Sequence, residues 1–153
     1  MPATTEALDA ATATRLRTVL GRLSRQLRTT TASTDAGLTP TKISVLLSVD
    51  RQGKTRISEV AELEALNPTL LSRTISTLVD AGLLDRVCDP SDRRTAWVQV
   101  TDEGHRLAES MRRERTEVVN HGMSALPAAE RRIVEQAIPA LEALADQLRD
   151  RPR

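Results

Sequence analysis

Residues 67–101, NPTLLSRTISTLVDAGLLDRVCDPSDRRTAWVQVT, run without interruption through cap, helix, stop, strand, turn and strand. Asn67-Pro68 reads as a helix start, in which the asparagine side chain caps and proline takes the first turn, where its missing N–H costs nothing. Leu71, Ile75 and Leu78 recur at i, i+4 and i+7, which makes one face of that helix apolar, and Gly82 supplies the stop just past its end. Leu83–Cys88 and Ala96–Val100 are rich in β-formers and flank DPSDRRT, a cluster of turn residues. A capped helix that runs straight into a hairpin with arginines at its tip narrows the fold to a helix followed by a wing.

The residues upstream supply its partner helices. Thr55–Ile57 is long enough only for a small strand, after which Ser58 is expected to cap EVAELEAL, with Val60, Ala61 and Leu63 as its apolar positions. Two short helices separated by a few residues form a helix-turn-helix. Thr39-Pro40 opens an earlier helix that carries Ile43, Leu46 and Leu47 inward and ends near Asp50, followed by the turn RQGK. From Thr5 to Ser33, Leu16, Leu20, Leu23 and Leu27, with Val19 alongside, predict one long striped helix whose polar residues include Arg15, Arg22 and Arg25; Gly37 marks the break.

Downstream, Thr101 with Gly104 opens a helix bearing Leu107, Met111, Val118 and Val119. Leu126-Pro127 leads into a last helix with Ile133, Val134, Ile138, Leu141, Leu144 and Leu148, and Pro139 predicts a kink or a break near Ile138. The expected fold is mainly α with a small β-hairpin, in one domain over 1–153. Its winged helix-turn-helix spans 39–100, flanked by long terminal helices at 5–33 and 101–149. These outer stripes exceed what so small a winged helix needs. The expectation is a homodimer core; packing back onto the same domain is the alternative.

The polar face of the 67–81 helix carries Thr69, Ser72, Arg73, Ser76 and Asp80. Small hydroxyl residues near a helix start let it enter the major groove of duplex DNA, where Arg73 can reach a guanine edge or a phosphate. Leu70, beside this face, either touches a thymine methyl or packs under the wing. At the hairpin tip Arg93 and Arg94 do nothing for folding, whereas the narrow minor groove attracts arginine, and Asp92 can orient a neighbouring guanidinium. Taken singly, an amphipathic surface helix and a solvated turn account for each segment. Helix and wing in this order point to double-stranded DNA.

Composition sets limits on that reading. Lys+Arg and Asp+Glu nearly cancel to +1, and residues 1–50, 51–100 and 101–153 carry +2, 0 and −1. Binding must therefore come from a few placed arginines rather than a basic surface. A winged helix used only for protein–protein contact is the alternative that this neutrality favours. Tyr and Phe are absent and Trp97 is the only aromatic, which disfavours stacking on single strands. Cys88 has no partner for an internal disulfide. The N-terminus lacks the pattern of a signal peptide, and no apolar run approaches the ~20 residues that span a bilayer. A soluble cytoplasmic protein without membrane contact is expected.

Enzymatic and metal chemistry find no constellation. His105 and His121, on one helix, would stand about 160° apart around its axis, and no Cys/His cluster accompanies them. There is no Gly-rich phosphate loop and no gathered acid, base and nucleophile, so neither catalysis nor a cofactor is expected. Cys88 reads as a small structural thiol, with thiol sensing the alternative.

NPTLLSRTISTLVDAGLL followed by DPSDRRTAWVQVTDEG resembles the MarR family of bacterial transcription regulators, most strongly from Ser58 to Gly104. The resemblance implies that Ser72 and Arg73 lie on the recognition helix and that Arg94 is the wing arginine oriented by Asp92. It further implies a dimer joined through the terminal helices, binding palindromic operators as a repressor. Release would follow from a small anionic or aromatic effector. With Arg93, and with Asn67 and Pro68 opening the helix beside Thr69 and Ser76, these residues make up the candidate DNA-binding set. Such an effector is expected where the dimerising helices meet the winged helix, among aliphatic side chains and arginines such as Arg17. Thr77 departs from the pattern, standing where many members carry a basic residue; without that phosphate partner the salt slope should be lower by about one unit. Trp97 departs too, standing where a smaller aliphatic residue is usual. It is expected to point away from the face buried by Val98 and Val100, covering the hairpin or touching DNA.

Overall fold

The structure is a computed structural model and describes residues 9–88 and 96–149. Its elements are α1 (Ala10–Gln26), α2 (Thr31–Asp35), α3 (Pro40–Gln52), β1 (Thr55–Arg56), α4 (Ile57–Glu64), α5 (Pro68–Asp80), β2 (Leu84–Cys88), β3 (Ala96–Val100), α6 (Asp102–Ala125) and α7 (Ala128–Arg149). Helices dominate, and the three strands form one antiparallel sheet in the order β1-β3-β2. The chain divides into two compact units, one ending at Arg115 and the other beginning at Thr116.

The core of the first unit is aliphatic. Val45, Leu46 and Val49 of α3, Val60 of α4, Leu71, Ile75 and Leu78 of α5, Leu84 and Val98 of the sheet, and Ala108 and Met111 of α6 are all fully buried. Each Val, Leu, Ile or Met among them contributes about 1.5–3 kcal/mol of transfer free energy, which offsets the ordering of short helices that are unstable alone. Register fixes which strand residues join them. Thr55 pairs with Val98 on the inner face, while Arg56 pairs with Trp97 on the outer one.

Caps set the element boundaries. Asn67 Oδ1 accepts a 2.8 Å bond from the Leu70 N–H, as its position before Pro68 predicts. Gly82 adopts φ +70° just past α5, and its neighbour Leu83 returns its N–H to the Leu78 carbonyl at 2.9 Å. Thr101 Oγ1 accepts from the Gly104 N–H at 3.0 Å and donates to the Gly82 carbonyl at 2.7 Å, so one hydroxyl starts α6 and ties it to the end of α5.

Several expectations need correction. The 5–33 stripe is not one helix: α1 ends at Gln26 and α2 starts anew at Thr31. Thr30 and Ser33 bond reciprocally at 3.1 Å as a capping box. The Glu114 carboxylate of α6 accepts from the Thr31 and Ala32 N–H groups at 2.6 and 3.1 Å. Ser58 does not cap α4, which starts one residue earlier; Glu59 Oε2 accepts from the Thr55 hydroxyl at 2.8 Å and the Arg56 N–H at 3.2 Å. Leu63 of α4 is exposed rather than inward. α3 runs on to Gln52, with Gly53 as its cap.

In the second unit, α7 continues unbroken through Pro139. That proline is exposed, so the Glu135 carbonyl it leaves without an amide partner can be hydrated. Arg131 of α7 closes the end of α6, donating to the carbonyls of Met123, Ser124 and Leu126 at 3.0–3.4 Å. No described side chain of α7 is buried.

Candidate nucleic-acid interface

α5 has two chemically distinct faces. Leu71, Ile75 and Leu78 anchor it in the core together with Thr74, whose hydroxyl donates to the Leu70 carbonyl at 2.9 Å. Asn67, Pro68, Thr69, Ser72, Arg73 and Ser76 are all exposed on the other side. The structure thus brings these six expected residues together on one accessible helix. Thr77 is exposed as well, its hydroxyl turned back to the Arg73 carbonyl at 2.9 Å. Leu70 is 43% exposed beside this face. That leaves it free to meet an apolar group of a ligand.

The hairpin strands β2 and β3 pair over five residues, Leu84 opposite Val100 through Cys88 opposite Ala96. The tip, with Asp92, Arg93 and Arg94, lies outside the described residues, as does the Cys88 side chain. The strands that carry the tip are fixed to α5 by more than packing: Arg86 Nη2 of β2 donates a 2.8 Å hydrogen bond to Ser76 Oγ. Sequence reasoning missed Arg86, because nothing local distinguishes it from any other strand arginine. Trp97, half-buried on the outer face, has Lys54 Nζ and the Arg56 guanidinium carbon 5.3 and 5.2 Å from its ring centroid. It covers the sheet with two cations against it, a cation–π arrangement.

A helix with a bare polar face, locked to a hairpin, is the architecture that the comparisons match. The MarR family model matches residues 38–96. An uncharacterised HTH-type transcriptional regulator of Mycobacterium bovis is 32% identical over 139 residues, covering 91% of this chain and 96% of the relative. This chain belongs to the MarR family.

Solved structures agree on the fold of this MarR-family regulator. The crystal structure of MarR superposes with a TM-score of 0.71 at 20% identity, covering 86% of this chain and 98% of the other. NadR in complex with 4-hydroxyphenylacetate gives 0.73 at 20% identity, covering 99% and 100%. The MarR-family assignment makes the chain a winged-helix transcription regulator.

This MarR-family chain also holds a cavity of about 680 Å³ in its first unit, lined by residues that include Leu27, Arg28, Ser44, Leu47, Arg51 and Arg115. Arg17, the arginine expected near such a site, does not line it. Ser44 is hydrogen-bonded to Glu64 at the wall. Arg115 Nη2 donates to the Arg28 carbonyl at 3.4 Å, while its Nε is buried with no hydrogen-bond partner. Burial, and then the charge of Arg112, lowers the Arg115 pKa. Beside this region a side chain of α3, Asp50, is ion-paired to both His105 and Arg112 of α6. Among the described residues no group of His, Cys, Asp and Glu could hold a metal ion, and no helix is long and apolar enough to cross a membrane.

Proposed function

We propose that this chain is a homodimeric repressor that binds a pseudo-palindromic operator and is released by a small anionic or aromatic effector. The exposed face of α5 carries the proposal. Among the described residues, the side chains of Thr69, Ser72, Arg73 and Ser76 make no hydrogen bond or ion pair beyond Ser76's bond to Arg86. Arg73 would take a guanine edge or a phosphate in the major groove, where a bidentate contact discriminates by about 1–3 kcal/mol. Arg94, oriented by Asp92, and Arg93 would enter the minor groove. Asn67 and Pro68 set the helix start from which these side chains project.

Apolar surface left uncovered in the single chain supports dimerisation. Val19, Leu20 and Leu23 of α1, and Ile133, Val134, Ile138 and Leu141 of α7, are all exposed. Patches of this kind mark contact sites. Twin recognition helices then fit half-sites one duplex turn apart.

The cavity between α1, α3 and α6 is the effector site in this reading. Arg28 and Arg115 give it positive charge, and a ligand carboxylate would supply the missing partner for the buried Arg115 Nε. The 4-hydroxyphenylacetate bound by NadR joins an aromatic ring to such a carboxylate. Footprinting on DNA upstream of the protein's own coding sequence tests the whole reading. The expected result is a protected pseudo-palindrome, with protection lost when an effective aryl carboxylate is added. Protection of nothing at low salt would favour a protein–protein module.

A further inference from the structure

Arg86 stands opposite Val98 in the β2–β3 register, so its side chain leaves from the face of the sheet that packs on α5. Val98 is fully buried there, whereas Arg86 is exposed. The arginine stem runs past the edge of the core, and its guanidinium emerges at the seam between α5 and the hairpin. Ser76 Oγ holds it there at 2.8 Å. Ser76 lies one turn beyond Ser72 on the exposed face of the recognition helix.

That bond uses one of five guanidinium donors. Among the described residues no carboxylate stands within ion-pair distance of Arg86. A surface arginine pinned by a neutral hydroxyl keeps its full charge and loses its side-chain freedom, which lowers the entropic cost of a later contact.

Duplex geometry says what the seam faces. One sugar–phosphate strand separates each major groove from the neighbouring minor groove. A helix in the first and a hairpin in the second straddle that strand, and a cation between them points at it. We infer that Arg86 is a phosphate clamp, oriented by Ser76, on the backbone strand between the two grooves. This rests on the DNA-binding reading above. It recasts Ser76 as a positioning residue for Arg86 rather than a reader of bases.

The test is fluorescence anisotropy with a labelled operator duplex, between about 50 and 200 mM salt, on the full chain and its Arg86→Gln, Arg86→Lys and Ser76→Ala variants. A phosphate contact carries no sequence information, so Arg86→Gln should weaken binding to the operator and to its single-base variants by a common factor. In a dimer the substitution removes two phosphate partners, which lowers the log–log salt slope by about 1.8. Over the fourfold salt range the native protein then loses roughly 12-fold more affinity than the variant. Arg86→Lys should keep the slope, and Ser76→Ala should keep it while binding more weakly. If Arg86→Gln fails to fold by circular dichroism, the Arg86→Lys and Ser76→Ala measurements decide. Native affinity and slope in Arg86→Gln, a lowered slope in Arg86→Lys, native affinity in Ser76→Ala, or a loss confined to one base pair overturns the clamp and leaves the regulator reading standing. Failure of the native protein to bind any duplex at the lowest salt overturns both.

Discussion

His105 Nδ1 lies 2.6 Å from Asp50 Oδ1, a carboxylate whose side chain is 2% exposed, and Arg112 holds the other carboxylate oxygen. The pair joins the end of α3 to the helix that leaves the wing. The Asp50 hydrogen bond, then its charge, raises the His105 pKa above its ordinary 6.5, with Glu109 assisting and Arg112 opposing. Burial alone would raise the Asp50 pKa, but hydrogen bonds from His105 and Arg112 outweigh it and leave the carboxyl below 3.8.

Stability should therefore depend on pH in two directions. His105, raised on folding, contributes fully below its unfolded value and loses that contribution as pH rises through its higher folded value. Asp50, lowered on folding, contributes above its unfolded value and loses that contribution as pH falls through its lower folded value. Melting temperature should decline as pH rises from about 6.5 into the mildly alkaline range, and His105→Gln should remove that decline. Identical profiles for the two proteins would show that the pair does not couple to folding. Asp50→Asn removes the carboxylate that both His105 and Arg112 meet and should cost about 2 kcal/mol, less than a fully buried pair because both partners reach solvent.

The two faces of α5 should separate stability from binding. Ile75→Ala removes fully buried volume and should destabilise by about 2–5 kcal/mol in a urea titration. Arg73→Ala should change stability by less than about 0.5 kcal/mol while weakening operator binding by about 1–3 kcal/mol. Equal loss of stability in both variants would contradict the assignment of the faces.

Gly104→Ala probes the start of α6. A Cβ there would stand 2.1 Å from the Leu83 carbonyl oxygen and 2.8 Å from Val100 Cγ2, against the wing's inner edge. Neither atom is the free end of a flexible side chain, so the helix start or the strand must shift. The expected cost is about 3 kcal/mol, at the upper end for overpacking, read from denaturant midpoints. A native-like midpoint would mean that this packing is loose.

Legibility in the sequence followed the range of the forces involved. Asn67, Pro68 and Gly82 act on their own neighbours, so both ends of α5 could be read from the chain, as could Leu71, Ile75 and Leu78 on its buried side. Gln26–Thr31 could not: the leucine stripe runs on to Leu27, and part of what starts α2 is Glu114, a carboxylate distant in sequence. Ser58 looked like a cap, but Glu59 reaching back to Thr55 and Arg56 determines the start of α4. The same limit applies to the site. Thr69, Ser72 and Arg73 were visible as a polar face, whereas the role of Arg86 appears only once β2 is laid on α5 and its guanidinium meets Ser76.

The proposed dimerisation through the terminal helices should be sensitive to charge on their exposed apolar residues. Ile133, 65% exposed on α7, and Leu23 of α1 are the positions to test. Ile133→Glu or Leu23→Glu should shift the sedimentation coefficient from dimer to monomer and weaken operator binding through the loss of the second recognition helix. A native sedimentation coefficient in both variants would exclude these surfaces from the interface.

On a chain of nearly neutral charge, the proposed recognition of duplex DNA rests on a few placed arginines. Binding of the native protein and of Arg73→Ala and Arg94→Ala to the DNA upstream of its own coding sequence, measured across a salt series, tests it most directly. The native protein should bind specifically, with an affinity that falls steeply with salt, and either variant should lose that specificity. Binding that ignores salt, or variants that bind as the native protein does, would contradict it.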